Sequence, residues 1–295
     1  MKPTRRRWIT ALALLVAATW AHGDDGDRAR QALMGIDLPA RAPQGGMVQG
    51  RAPADARVVV AGRTLRQDGG GRFVFGIGRD QDGPVPVEVT LPGSAPVRFE
   101  VGVQRRSFAI QRVDGVPQAT VTPDPGRAAR IAREQGAVNT ARTRDDDRDD
   151  WTAGFIWPVE GRISGVFGSQ RIYNGVPRAF HSGLDVAVPT GTPLRAPAAG
   201  VVTFAEADLF LTGGTVLIDH GHGISSNFLH LSRIDVSVGE RVEQGQVFGA
   251  VGATGRATGP HMHWGMNWFD VRIDPQLLVR PAAAGAAQSA PGPSP

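Results

Sequence analysis

Residues 181–185 read His-Ser-Gly-Leu-Asp. Gly183 and the later Pro189, together with apolar residues at alternate positions, favour a β-strand over a helix in this segment. In a strand, His181 and Asp185 share one face and converge across Gly183, which has no side chain. Taken alone, such a pair is more often an ordinary hydrogen bond at a strand end than a functional site. Its significance depends on which other residues are directed towards it.

A second pair, His261 and His263, follows a turn rich in glycine. Side chains two positions apart in a strand point the same way and lie about 7 Å apart, which suits one metal ligand and one helper better than two equal ligands. Together with His181 and Asp185, the pair offers at most three nitrogen or oxygen ligands and leaves one position open. That pattern is typical of a catalytic zinc site, whose fourth ligand is water. A structural zinc site usually includes cysteine, and the chain has none.

Six of the seven histidines fall within residues 181–263. Packing alone gives no reason to gather them, whereas a metal site with acid–base helpers does. His230 ends the second arm of a predicted hairpin over 214–231, where strand alternation can direct it at the site. His220 and His222 lie in the turn of this hairpin, and we predict that they bond to backbone or solvent rather than take part in catalysis.

The rest of the chain has the pattern of a mainly β protein. Short segments rich in β-branched residues alternate with Gly- and Pro-rich turns, both before and after an Arg/Ala-rich segment that Asp124-Pro125 opens as a helix. The acidic run 145–150 that follows is typical of a solvated linker. We therefore predict a signal peptide (1–23), a linker (24–45), a small β-sandwich domain (46–122), a helix with an acidic linker (123–150), an antiparallel β domain (151–278) and a disordered tail (279–295).

The first 23 residues have the three parts of a secretory signal. A basic segment precedes an apolar run, and small residues lead into an acidic start at Asp24. Arg5 and Arg6 form a twin arginine, which leaves both the general and the twin-arginine export routes open. No later segment offers the roughly 18 to 20 uninterrupted apolar residues of a membrane span. We expect an exported protein of the periplasm or cell envelope, with no stable membrane span after signal removal.

The charge distribution excludes nucleic acid as a partner. The formal net charge is +4, but four of the 32 Lys and Arg residues lie within the first seven positions, and the remainder equal the 28 Asp and Glu residues in number. A chain that is near neutral after signal removal lacks the basic field that a phosphate backbone requires.

Several motifs in the same order resemble the lysostaphin/LytM-type zinc metalloendopeptidases, which have a duplicated hybrid motif fold and cut peptidoglycan cross-links. The resemblance covers roughly residues 155–276, and ordered motifs are far more specific than any one alone. They are His-Ser-Gly-Leu-Asp at 181–185, Gly-Gly-Thr-Val-Leu-Ile-Asp-His-Gly-His-Gly at 213–223, His-Leu-Ser at 230–232, Gly-Ala-Thr-Gly at 252–255 and Thr-Gly-Pro-His-Met-His-Trp at 258–264.

The resemblance implies a role for each site residue. It makes His181, Asp185 and His263 ligands of Zn²⁺, and it makes His230 and His261 catalytic residues that do not bind the ion. Some members also place a tyrosine before the first ligand to help hold the reacting oxyanion, and the only tyrosine here is Tyr173. The implied fold is a two-layer antiparallel β structure with the metal in a groove, and the implied substrate is the peptide stems of peptidoglycan.

Two departures from the family pattern concern the shape of the groove. Phe228 stands where many members have tyrosine, two residues before the catalytic His230, and Phe180 precedes the first ligand. Neither departure changes the metal-binding residues. Protein regulators are not indicated by the sequence.

Two other functions fit parts of the pattern. Family members that have lost ligands serve as non-catalytic wall-binding modules that activate another wall hydrolase, but all five site residues stand in this chain. A non-haem iron oxygenase also uses two histidines and a carboxylate in a β fold. That class usually has His-x-Asp spacing and would leave His230 and His261 without a role.

Overall fold

The computed structural model describes residues 23–114 and 125–279, and it is mainly β as the sequence predicts. Helix α1 is Gly23–Met34 and helix α2 is Pro125–Ala141. Short 3₁₀ turns lie at Asp150–Ala153 and Pro275–Leu277. No helix within the described ranges is both long and apolar enough to cross a membrane. Most of the predicted signal, 1–22, and the tail from residue 280 lie outside the described residues.

The N-terminal half packs two sheets around buried valines and phenylalanines. A five-stranded sheet has the order β1-β7-β6-β3-β4, and β2 pairs with β5 in a second sheet. In β6 the buried residues Val85, Val87 and Val89 alternate with exposed ones, as a sheet with one covered face requires. The strands are β1 Arg41–Pro43, β2 Met47–Arg51, β3 Arg57–Val60, β4 Arg63–Thr64, β5 Arg72–Gly76, β6 Val85–Thr90, β7 Val97–Gln104 and β8 Ile110–Val113.

The segment predicted as a linker is partly structured. Residues 24–45 contain most of α1 and all of β1, which pairs in parallel with β7. A parallel pairing joins parts of the chain that are distant in sequence, so local sequence signals gave no indication of it.

The C-terminal half is built on an eight-stranded sheet. Seven of its strands have the order β18-β14-β15-β16-β20-β12-β9, and the eighth, β21, pairs with β20. The predicted hairpin is present as β15 and β16. Strand bounds are β9 Arg162–Gly165, β10 Gln170–Tyr173, β11 Val176–Pro177, β12 Gly183–Ala187, β13 Pro193–Arg195, β14 Gly200–Leu209, β15 Gly213–Asp219, β16 Ile224–Leu231, β17 Arg233–Ile234, β18 Arg241–Val242, β19 Val247–Ala250, β20 Met262–Trp268 and β21 Val271–Ile273.

The two faces of the central strands have different characters. Along β20, Trp264 and Met266 point into the apolar core, so His263 and Asn267 point to the opposite face. Antiparallel pairing places Asp185 and Leu229 on either side of His263, on this same face. We call it the polar face of the sheet.

Helix α2 lies over the polar face. It begins at Pro125, at the position where the sequence predicts the first helical turn. The Phe210 amide donates to Glu134 Oε2 at 2.8 Å, and Arg130 donates to the carbonyl of Asp208 at 2.8 Å. Val138 is buried. The helix therefore forms a wall above strands that belong to the C-terminal sheet.

The acidic run after α2 is held against the sheet more firmly than a solvated linker would be. Arg148 donates to the carboxylates of Asp150 and Asp219, and Asp150 also accepts from Arg241 at 2.7 Å. Asp219 lies in β15 and is buried. Buried carboxylates require such partners, and here the linker provides the arginine.

Polar contacts join the N-terminal half to the C-terminal half at several places. Strand β8 pairs in parallel with β10, the Arg79 side chain donates to the carbonyl of Gly168 at 2.8 Å, and Arg106 forms an ion pair with Asp274 at 2.7 Å.

Candidate metal centre

Three potential ligand atoms converge on the polar face. His181 Nε2 lies 3.1 Å from Asp185 Oδ1 and 3.1 Å from His263 Nδ1, and His263 Nδ1 lies 2.9 Å from Asp185 Oδ1. Among the described residues, this group has the geometry to hold a metal ion, with its ligand atoms within 4.8 Å of one another. Two imidazoles and one carboxylate form a donor set typical of zinc and leave a position open for chemistry.

Strand pairing positions these residues. Asp185 in β12 is directly opposite His263 in β20, and His181 lies just before β12. Gly183 makes the close approach possible, because a Cβ atom at this position would lie 2.5 Å from the Trp264 carbonyl oxygen and 2.7 Å from His263 Nε2. Any larger residue would push the His263 ring or separate the strands.

A backbone carbonyl fixes the ring of His181. Its Nδ1 lies 3.0 Å from the Val166 carbonyl oxygen, so Nδ1 carries the proton and Nε2 presents its lone pair to Asp185 and His263. His263 is buried, and its Nε2 has no hydrogen-bond partner. The other nitrogen of this ring, Nδ1, faces lone pairs of Asp185 Oδ1 and His181 Nε2. A cation between the three groups explains this arrangement better than hydrogen bonds among them. The residues therefore fit a metal ion.

The electrostatics of the three residues are those of a coupled group. Burial opposes charge on Asp185, but the adjoining rings of His181 and His263, which donate to this carboxylate when protonated, outweigh burial and hold its pKa below the ordinary value. Burial likewise opposes protonation of His181, yet the bond to Asp185 raises its pKa. Burial dominates at His263 and lowers its pKa to about 4. A neutral His263 and an ionised Asp185 are the forms that bind a cation.

His230 and His261 stand beside the three ligands. Their ring centroids are 4.9 Å apart, and His261 Nε2 lies 3.9 Å from Asp185 Oδ1. His230 Nδ1 lies 2.8 Å from the Thr254 carbonyl oxygen, and His261 Nδ1 lies 2.8 Å from the carbonyl of Gly259. Both rings therefore carry their proton on Nδ1 and present Nε2 as an acceptor. Burial lowers the pKa of His230, which keeps it neutral.

Strand alternation does not account for the direction of His230. Leu229 is opposite His263 and occupies the polar face, so strict alternation would turn the next side chain towards the core. Instead His230 has φ of +66°, a left-handed conformation rare for a residue with a Cβ, and its backbone leaves the regular ladder. A catalytic role for His230 remains a prediction. The irregular backbone at this residue, rather than strand alternation, directs its ring towards His261.

The remaining histidines and Tyr173 lie in other surroundings. His220 is buried, with Nδ1 2.7 Å from the Ala199 carbonyl and Nε2 2.8 Å from Ser226 Oγ, in agreement with a structural role. His222 is buried, neither of its ring nitrogens has a hydrogen-bond partner among the described residues, and its ring centroid lies 5.6 Å from that of Trp151. Tyr173 ends β10, and its hydroxyl accepts from Arg171 at 3.4 Å.

Sequence reasoning missed the groups that orient and surround the centre. The carbonyls of Val166, Thr254 and Gly259 fix three histidine tautomers, but a carbonyl is present at every residue and gives no sequence signal. Arg142 and Arg272 line a cavity on the polar face, although they come from distant parts of the chain. Only packing brings them together.

Comparisons with known proteins agree with this geometry. The model of peptidase family M23 matches residues 179–275, which contain all five histidine and aspartate residues of the centre. A crystal structure from Pseudomonas aeruginosa that is assigned to peptidase M23 is 36% identical, with a TM-score of 0.61, and the match covers 79% of this chain and 93% of that one.

Two curated relatives match the C-terminal half. Peptidoglycan DD-endopeptidase ShyC of Vibrio cholerae is 38% identical over 124 residues, which are 41% of this chain and 28% of ShyC. DD-carboxypeptidase/endopeptidase Mpg of Neisseria meningitidis is 45% identical over 123 residues, which are 42% of this chain and 28% of Mpg. The matches thus span less than a third of either relative. The ligand geometry, the family match and the likeness to the Pseudomonas structure over most of both chains together show that this chain belongs to peptidase family M23.

Proposed function

We propose that the chain is an exported, zinc-dependent endopeptidase that hydrolyses amide bonds in the peptide cross-links of peptidoglycan. The observation that carries the proposal is the convergence of His181, Asp185 and His263, with two further histidines presenting free Nε2 atoms beside them. The relatives named as a peptidoglycan DD-endopeptidase and a DD-carboxypeptidase/endopeptidase support the substrate class.

The proposed ligands are His181 Nε2, Asp185 Oδ1 and His263 Nδ1. Zinc held by two neutral imidazoles and one carboxylate keeps a net positive charge, and it would supply a Lewis acid that polarises the scissile carbonyl and acidifies water. Asp185 would neutralise part of that charge, and its contacts to His181 Nε2 at 3.1 Å and to His263 Nδ1 at 2.9 Å hold the three donor atoms close together.

His230 and His261 would move the protons. An imidazole with a free Nε2 can accept a proton from water and pass it to the leaving amine, and in its protonated form it can donate a hydrogen bond to the developing oxyanion. The 4.9 Å separation of their rings allows both to reach one substrate. The two residues share these tasks in the proposal, and Tyr173 is a further candidate to support the oxyanion.

Export is part of the proposal because the substrate lies outside the cytoplasm. The basic, apolar and small-residue parts of residues 1–23 supply the signal. Recovery of a mature protein that begins near Asp24 from the periplasm, identified by N-terminal sequencing, would support this step. An intact N-terminus on cytoplasmic protein would contradict it.

The decisive test is digestion of purified peptidoglycan. The wild-type protein should release new amine and carboxyl ends at cross-link peptides, identified by mass spectrometry, and a zinc chelator should stop the reaction until zinc is restored. Asp185→Asn should be inactive, whereas the matched control Asp235→Asn, which removes an exposed carboxylate paired only with Arg233 in the described structure, should keep full activity. Zinc-replete protein that cuts no amide bond in peptidoglycan would refute the proposal and would favour a non-catalytic wall-binding module.

A further inference from the structure

A cavity of about 140 Å³ lies between helix α2 and the polar face of the sheet. Ser182, the neighbour of His181, and Leu229, the residue opposite His263, are among its lining residues. The cavity is therefore next to the metal centre on the same face. Arg142, just beyond α2, and Arg272 of β21 line it as well.

The side chain of Arg142 is buried without full hydrogen bonding. The residue is only 8% exposed, its Nη1 donates to Asn139 Oδ1 at 3.1 Å, and its Nε has no partner among residues 23–114 and 125–279. A guanidinium has five donors, and a buried donor left unpaired is costly. An unpaired buried donor at a cavity wall indicates that a partner can enter the cavity.

Arg272 adds a second positive charge to the same wall. It donates to Asn267 Oδ1, and Asn267 Nδ2 in turn donates to Asn227 Oδ1 at 3.1 Å. These amides fix the guanidinium but do not neutralise it. Burial and the nearby charge of Arg272 lower the pKa of Arg142 to about 9.

No carboxylate within the described parts of the chain forms an ion pair with either arginine. Glu134 also lines the cavity, but its oxygens accept from Arg130 Nε at 2.5 Å and from the Phe210 amide at 2.8 Å. Burial lowers the pKa of Arg272, and the charge of Asp270 offsets this only in part, since Asp270 is 84% exposed and pairs with Arg63 at 3.3 Å. Two like charges on one cavity wall, of which Arg142 is buried and Arg272 is half-buried, are unfavourable without a counter-charge unless an anion joins them.

We propose that this cavity binds a free carboxylate of the peptide substrate, held by Arg142 and Arg272 beside the scissile amide bond. The inference rests on the proposed function for the identity of the substrate. A planar carboxylate matches the fork of a guanidinium, and the charge-assisted bonds are stronger than those to a neutral amide. Peptides that carry this carboxylate are then preferred over peptides in which it is an amide.

The test compares two probes that differ only in this group, N-acetyl-alanyl-alanine and its C-terminal amide. Binding to the full chain is measured by calorimetry after chelation of the metal, so that a metal-bound carboxylate does not contribute to the difference. We expect the acid to bind about tenfold more tightly than the amide. Arg272→Gln and Arg142→Gln should each bring the two affinities together, and the matched exposed control Arg105→Gln should keep the wild-type difference.

Each other outcome overturns the inference. Equal binding of acid and amide to wild-type protein would show that the cavity does not select a carboxylate. A preference that is present with zinc and lost on chelation would assign the carboxylate to the metal. A preference for the acid over the amide that persists in both arginine variants would place the carboxylate-binding site elsewhere in the groove. Because no hydrolysis is needed, inactivity on peptidoglycan would refute the proposed function and leave this result standing.

Discussion

Three of the four histidines in the centre share the same ring orientation. His181, His230 and His261 each engage a backbone carbonyl through Nδ1, so each presents Nε2 to the groove. His263 is the exception, because its Nδ1 meets Asp185 and its Nε2 is buried against Gly183. The difference separates His263 from its neighbour His261, although both occur in one short motif.

This difference predicts opposite behaviour for two similar variants. His263→Ala should lose zinc because only two protein ligands remain, whereas His261→Ala should retain zinc and lose turnover by about a hundredfold or more. His230→Ala should behave like His261→Ala. Metal content by mass spectrometry and kcat for each purified variant provide the check. Zinc loss in His261→Ala with retention in His263→Ala would exchange the two roles.

His220 predicts a stability change in mild acid. Burial lowers its pKa to about 4 from the ordinary 6.5, so the folded protein resists protonation. Above pH 6.5 His220 is neutral in both states and its contribution is complete. Between pH 6.5 and 4 the unfolded chain takes up the proton first, so up to about 3 kcal/mol of stability is lost.

Urea unfolding across this pH range measures the effect. His220→Gln should be less stable than wild type at pH 7, because at least one of the two bonds to Ala199 and Ser226 is lost, but it should lose less stability on acidification. Equal losses in the two proteins would show that His220 does not titrate in this way.

At the scale of elements, the pairing of β12 with β20 both stabilises the C-terminal sheet and positions Asp185 opposite His263 in the metal centre. Gly183→Ala would place a methyl group 2.5 Å from the Trp264 carbonyl oxygen, so the strands or the His263 ring must move. We expect a loss of about 2 kcal/mol in stability together with weaker zinc binding. Gly259→Ala is the matched control, because its Cβ would have no neighbour within 4 Å.

Thermal unfolding and zinc titration of the two glycine variants test this expectation. Unchanged zinc affinity in Gly183→Ala, with a wild-type Tm, would mean that the strands accommodate the methyl group and that the close approach is not required.

At the scale of the whole molecule, an ion pair with a buried carboxylate helps to join the two halves of the chain. Arg106 donates to Asp274, which is almost fully buried and also caps the 3₁₀ turn through the Gln276 amide. Arg106→Ala would leave one oxygen of Asp274 without its charged partner and should cost about 2 kcal/mol. Arg105→Ala removes an exposed pair with Asp82 and should cost less than about 1 kcal/mol.

Denaturant unfolding of the two variants, followed by tryptophan fluorescence, distinguishes these costs. If Arg105→Ala lost as much unfolding free energy as Arg106→Ala, the buried pair between Arg106 and Asp274 would contribute no more to stability than an exposed pair, which would contradict the prediction.

The sequence by itself determined the properties that depend on neighbouring residues. Short β-branched segments between Gly- and Pro-rich turns predicted the mainly β fold and the hairpin of β15 and β16, and Asp124-Pro125 predicted a helix beginning at Pro125. The two-residue period of a strand predicted that His181 and Asp185 share one face and that His261 and His263 share one face, because successive side chains in a strand point to opposite faces. Membership of peptidase family M23 followed from the order of the motifs rather than from any single residue.

The tertiary structure alone decided what depends on distant contacts. The left-handed backbone of His230, the covering of the polar face by α2 and the meeting of Arg142 with Arg272 have no local signal. Residues 41–43 likewise gain a strand because β7 offers β1 an edge to pair with. The physical reason is that periodicity is a property of the local backbone, whereas burial and charge pairing depend on which segments the complete fold brings together.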